Sequence, residues 1–159
     1  MRKTVVMISV AIGLMSAAAP AAIALDDVYI NVNRFVGIGN KALVKGDFEK
    51  ASHNLRRAVK SNLTGKLLVN TLNNLCAADF LLNKFDEAKK SCDKAIKLDR
   101  RAWRPYVIRG HINGKQGHAD LARADYNRAQ KLKPGEEISK RFLAKMDAGS
   151  PVKLAKNAQ

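Results

Sequence analysis

The chain has 159 residues, which suits one domain of ordinary size. Hydrophobic residues make up 47% and aromatic ones only 6%, a core rich in alanine and leucine that argues against a sheet and for packed helices. With 29 Lys and Arg against 14 Asp and Glu, the net charge of +15 favours acidic partners of any kind: nucleic acid, anionic lipid, acidic glycan or acidic peptide.

The chain begins "MRKTVVMISVAIGLMSAAAPAAIALDD". Arg2 and Lys3 make a basic start, an apolar stretch runs from Val5 to about Leu14, and Pro20 precedes Ala22-Ile23-Ala24. This is the layout of a secretory signal peptide over residues 1–24, cut after Ala24. Thr4 to Leu25 also carries no charge and is just long enough to serve as a membrane anchor. No cysteine lies near the cut, so a lipid-modified N-terminus of the bacterial lipoprotein type is not available. Removal of Arg2 and Lys3 with the leader would lower the net charge to +13.

Beyond the leader the sequence repeats. "GNKALVKGDFEKASHNLRRAVK" (39–60) lies over "CAADFLLNKFDEAKKSCDKAIK" (76–97), and both lie over "GHINGKQGHADLARADYNRAQK" (110–131), at spacings of 37 and 34 residues. Gly46, Asn83 and Gly117 align, residue types that tolerate the left-handed conformation ending a helix. On the helix after each, Ala51, Leu55 and Ala58 correspond to Ala88, Cys92 and Ala95 and to Ala122, Tyr126 and Ala129. Steps of four and three place each trio on one helix face. The preceding helices match it with Phe35, Ile38 and Ala42, then Leu72, Leu75 and Cys76, then Tyr106 and Gly110. Each unit therefore reads as two antiparallel helices joined by a tight turn. After Pro134, "EEISKRFLAKMDAG" reads as one more amphipathic helix with Ile138, Phe142 and Met146 on its apolar face, closed by Gly149 and Pro151.

The period, the small residues Gly39 and Gly110, the "GDF" turn, the two alanine ladders and the closing "KLKP" at 131–134 together resemble the tetratricopeptide repeats, over residues 32 to 134. The resemblance implies an all-α fold, a right-handed superhelical stack of three helix-turn-helix repeats plus a C-terminal capping helix. The expected domain covers 25–148, with repeats at about 32–65, 69–102 and 103–136, a cap at about 136–147 and a loose tail at 149–159. There are departures: Cys76 replaces the usual glycine, Arg100 stands where a proline closes the unit, and Asn113 with Gly114 interrupt a first helix and predict fraying or a kink there.

Cys76 and Cys92 are the only cysteines, eight residues before and eight after a turn near Lys84. In a helical hairpin such residues face each other, and in the other copies the same pair is Gly39 with Leu55 and Gly110 with Tyr126. In an oxidising compartment the two form a disulfide inside the second repeat; otherwise they are buried free thiols acting as small apolar residues. A redox-catalytic pair would normally be close in sequence, and no nearby histidine or second pair completes a zinc site.

No catalytic chemistry is expected. His53, His111 and His118 belong to no metal or nucleophile pattern, and "GIGNKA" (37–42) lacks both a preceding strand and the third glycine of a dinucleotide fingerprint. No cofactor and no metal are implied. In the resembled family the first helices line a concave face where extended peptides bind. On this chain that face carries Asn33, Asn40, Asn70, Asn73, Asn74, Phe80, Arg104, His111 and Lys115. Asparagine amides can both donate to and accept from a peptide backbone, and Arg104 and Lys115 suit a carboxylate. Some members clamp a partner's C-terminal carboxylate with two asparagines and three basic residues. Asn40, Asn74 and Arg104 stand at three of those places, while Val36 and Ile108 fill two that the clamp gives to cations.

Two functions follow. One is a non-catalytic scaffold of the cell envelope or periplasm, binding a protein or peptide partner that is acidic or ends in a carboxylate. The other uses the basic surface to hold an anionic polymer or membrane surface, or nucleic acid if the chain is not exported.

Overall fold

The structure, a computed structural model, describes residues 25–148, with side chains described from Arg34 onward. The leader expected at 1–24 and the tail expected at 149–159 lie outside the described residues. Among the described residues there are seven helices and no strand: α1 (Leu25–Val44), α2 (Phe48–Lys60), α3 (Gly65–Leu81), α4 (Phe85–Leu98), α5 (Trp103–Lys115), α6 (Ala119–Leu132) and α7 (Glu137–Asp147). Consecutive pairs form three hairpins. Stacking α2 on α3 and α4 on α5 builds the superhelix, and α7 closes it by packing on α6.

Each hairpin turns through one left-handed residue: Gly46 at φ 78°, Asn83 at 57° and Gly117 at 83°. The same bond seals all three turns. Asp47 N–H donates to the Ala42 carbonyl at 3.0 Å, Lys84 to Asp79 at 2.9 Å and His118 to Asn113 at 2.8 Å. These bonds satisfy carbonyls that the helix end would otherwise orphan.

The second helices carry the core. Ala51, Leu55, Ala58, Ala88, Cys92, Ala95, Tyr126 and Ala129 are fully buried, as is all but 1% of Ala122. Small residues bring the hairpin helices close. A Cβ on Gly39 would stand 2.6 Å from Leu55 Cγ, and one on Gly110 would stand 2.7 Å from the Tyr126 ring. In the middle hairpin Cys76 and Cys92 are joined by a disulfide, with Cα atoms 5.4 Å apart.

Ion pairs pin one helix to the next. The Asp79 carboxylate, fully buried on α3, accepts from Ser52 Oγ at 2.5 Å and Arg56 Nη2 at 2.9 Å, both on α2. Arg109 on α5 donates to Asp125 on α6 through Nε and Nη2, and to Asp93 on α4 through Nη1 at 2.6 Å. Burial favours the neutral acid at Asp93, but the bonds from Lys89 and Arg109 outweigh it and hold its pKa below the usual value.

Two sequence expectations are corrected. α5 runs unbroken to Lys115, because buried Asn113 donates to Asp125 Oδ2 at 3.0 Å and Gly114 lies against Ala122. The packed face of α7 is Ser139 with Phe142, not Ile138, which is 47% exposed. Glu136 fixes that register by accepting from the N–H groups of Ile138 and Ser139. α1 begins at Leu25 and α3 at Gly65. Between α2 and the first residue of α3, the chain turns through Asn62 at φ 53° and Gly65 at φ 56°.

Candidate functional site

The first helices α1, α3 and α5 lie side by side and form one face of the stack. On it an amide ladder crosses from α3 to α1. Asn73 Nδ2 donates to Asn74 Oδ1 at 3.2 Å, and Asn74 Nδ2 donates to Asn40 Oδ1 at 2.9 Å. At the head of the ladder, Asn73 Oδ1 is buried and accepts from no group of the protein. A buried polar oxygen without a partner is costly, and its need is met by a ligand or water.

The ladder floors a cleft of about 400 Å³ whose walls include Val36, Leu67, Asn70 and Arg104. A smaller cleft of about 160 Å³ shares Asn70, Asn73 and Arg104 and adds Lys66 and Trp103. Arg104 is exposed, its guanidinium 4.8 Å over the Trp103 ring, so the cation stands at the rim where the two clefts meet. The lining is suited to an extended chain: paired amides for a backbone, apolar walls for side chains, one cation for an acid.

Of the nine groove residues expected, five meet here: Asn40, Asn70, Asn73, Asn74 and Arg104. Asn33 lies outside the residues whose side chains are described. Lys115 is exposed at the end of α5 and lines neither cleft. Phe80 and His111 belong elsewhere, in an aromatic cluster under α7. Ring centroids are 5.9 Å apart from Phe80 to His111 and 4.6 Å from His111 to Phe142. His111 Nδ1 lies 2.6 Å from the Tyr126 hydroxyl. Burial lowers the His111 pKa to about 4, against the opposing pull of the Glu136 carboxylate, so the ring is neutral at pH 7. Placing His111 on the open face was therefore wrong: a helix 31 residues further along the chain covers it.

The expected groove residues did not include Lys66 or Trp103. For Lys66 the signal was available, since Lys66, Asn70 and Asn73 recur at helical spacing on α3. Two places that a carboxylate clamp gives to cations are committed to packing. Val36 packs with Ala58 and Leu63, and Ile108 packs on the cluster around the disulfide. Among the described residues no three His, Cys, Asp or Glu side chains gather as a metal site.

A profile of the tetratricopeptide repeat family matches residues 79–101 and 104–136. The matched segments, the end of α3 with α4 and the α5–α6 hairpin, are of the tetratricopeptide repeat type. Mouse sperm-associated antigen 1 is 25% identical over 115 residues, which are 72% of this chain and 12% of that protein. The tetratricopeptide repeat domain of Arabidopsis OM64 superposes with a TM-score of 0.71 at 23% identity, over 77% of this chain and 98% of that one. The first such domain of Spaghetti (RPAP3), solved with the HSP90 peptide SRMEEVD, superposes at 0.69 with 22% identity, over 76% and 93% of the two chains. At these identities the likeness to the solved structures is one of fold.

Proposed function

We propose that this protein is a non-catalytic interaction module that takes an extended segment of a partner protein into the cleft between α1, α3 and α5. The carrying observation is the amide ladder ending in the unpartnered Asn73 oxygen. A peptide strand supplies the missing N–H there and a carbonyl for the remaining amide hydrogens, and Arg104 takes an acidic side chain. A peptide-bound tetratricopeptide domain among the structural relatives supports this reading. With Val36 and Ile108 in place of two clamp cations, the segment is internal, and a free C-terminal carboxylate adds little. We place the protein in an exported compartment, the bacterial periplasm, with the leader cut after Ala24. The leader pattern and the Cys76–Cys92 bond support that setting.

Selection of the protein against a displayed random-peptide library tests the groove. Selected peptides are expected to be acidic, to bind in moderate salt, to tolerate C-terminal amidation, and to lose about tenfold or more in affinity on Asn74→Ala or Arg104→Ala. Peptides indifferent to both substitutions would sink the assignment. The intact mass of native protein, alkylated before reduction, tests the compartment. A mass beginning at Leu25 with no alkylated thiol supports export, and retained Met1 or Arg2 with two alkylated thiols refutes it.

A further inference from the structure

Because the hairpins are antiparallel, one edge of the stack carries the tight turns, and the other carries the ends of α2, α4 and α6 with the starts of α3, α5 and α7. The two edges differ in charge. At the turn edge the helices begin with acids in their first turns: Glu49 on α2, Asp86 and Glu87 on α4, Asp120 on α6. That is what the positive end of a helix dipole favours. At the opposite edge α3 and α5 have no acid in the first turn and carry Lys66 and Arg104 there instead. Those cations oppose the dipole, so helix stability does not explain them.

Lys97, Arg100, Arg101 and Lys133 stand on the same edge, at the ends of α4 and α6 and in the loops that follow. All six cations are exposed, and none forms an ion pair among the described residues. The neighbouring acids are engaged locally. Asp99 accepts from the Arg101 N–H at 2.8 Å, Glu136 caps α7, and Glu137 pairs with Lys140 at 3.8 Å. Asp26 and Asp27 stand at the start of α1, so the basic surface belongs to the part of the edge built by the second and third hairpins.

Apolar groups stand among the cations. Leu98 is 51% exposed and lines a shallow cleft with Lys66. Trp103, half-buried against the cluster of Tyr106, Val107 and Ala129, has Arg104 at 4.8 Å and Lys133 at 4.4 Å over its ring. A base would need that ring face as a stacking platform, and two cations already sit over it. Cations flanking an indole and an exposed leucine match instead the boundary between lipid headgroups and acyl chains.

We propose that this edge is a docking surface for an anionic lipid bilayer, with Lys66, Lys97, Arg100, Arg101, Arg104 and Lys133 on the headgroup phosphates and Leu98 and Trp103 at the interface. Among the described residues no helix is long and apolar enough to cross a membrane, so their association is peripheral. Of the eight residues named for this edge, the amide-floored cleft shares only Arg104, so the two assignments can fail separately.

Trp103 is the chain's single tryptophan, which makes its fluorescence a reporter on the proposed surface. The protein is titrated with vesicles of mixed phosphatidylglycerol and phosphatidylcholine and, separately, of phosphatidylcholine alone. The anionic vesicles are expected to bind about tenfold or more tighter, to shift Trp103 emission to the blue, and to release the protein as salt rises. At about fivefold per cation, the triple variant Arg100→Glu, Arg101→Glu, Lys133→Glu loses about a hundredfold or more, while Lys45→Glu, Lys84→Glu, Lys90→Glu stays within about threefold. Circular dichroism melts establish that both variants fold. Equal losses in the two variants, equal binding to both vesicle types, or binding without a blue shift would each overturn the proposal. So would tighter binding to a single-stranded oligonucleotide than to the anionic vesicles.

Discussion

At the closest approach of α3 and α4 two cysteines are bonded, their Cα atoms 5.4 Å apart; at the equivalent point of α5 and α6 a glycine lies beneath a tyrosine ring. The repeat fixes how near the two backbones come, and the space is then filled either by two small linked side chains or by one large side chain over none. The first hairpin, with Gly39 under Leu55, sides with the third. The difference lies in when each closure acts. A disulfide restricts the unfolded chain whether or not its neighbours are in place. Tyr126 stabilises only the folded state, and its ring stacks on Phe142 of α7 at 5.4 Å. The third closure thus depends on the cap, and the second does not.

The largest effect is expected at the aromatic closure. Tyr126 is the largest fully buried side chain, and Tyr126→Ala should cost about 4 kcal/mol by cavity formation and lost contacts. In stacked repeats stability is a sum of local terms. Hydrogen exchange should therefore show α5, α6 and α7 losing protection while α3 and α4 keep most of theirs. A uniform loss along the chain would mean that the closures are not independent. Next comes Cys76→Ala with Cys92→Ala, expected to cost about 3 kcal/mol, since the bond closes a loop of about 15 residues. This loss should reach all three hairpins, because the middle one is packed on both sides. In thermal melts a reductant should destabilise the wild type comparably and leave the double variant unchanged.

What the sequence revealed and what it hid divide along local and distant contacts. The left-handed turns at Gly46, Asn83 and Gly117 and the buried alanine ladders depend on residues a few places apart, so periodicity alone exposed them. The facing of Cys76 and Cys92 followed from equal distances to one turn. The pins Asp79 to Arg56 and Arg109 to Asp125 join separate helices, and an aspartate within a helix gives no sign of its partner. On the candidate face, Asn40, Asn74 and Arg104 could be placed by alignment between copies. The bond joining Asn40 to Asn74 and the unpartnered Asn73 oxygen could not, because each depends on a rotamer at the contact. His111 was misplaced for the same reason: its aligned position faces the open side, but Phe142 arrives from outside the repeats.

That misplaced histidine sharpens the comparison through pH. The second closure contains no titratable group, since both its cysteines are bonded. The third holds His111 between Tyr126 and Phe142 with a pKa lowered by burial to about 4. In the unfolded chain the imidazole takes up its proton near pH 6.5. Between those values the unfolded state binds more protons than the folded one, so stability is fully present above about pH 6.5 and drains as pH falls towards 4. By pH 5 the loss from this group is about 2 kcal/mol. Glu136 pulls the other way, but burial is the larger influence. The loss should be local: at pH 5, exchange should accelerate in α5, α6 and α7 before α3 and α4. His111→Phe keeps a ring at this site without the titrating nitrogen, so it should flatten the melting temperature between pH 6.5 and 5 relative to the wild type. An unchanged slope in that variant would place the acid sensitivity elsewhere and leave the two closures equally indifferent to pH.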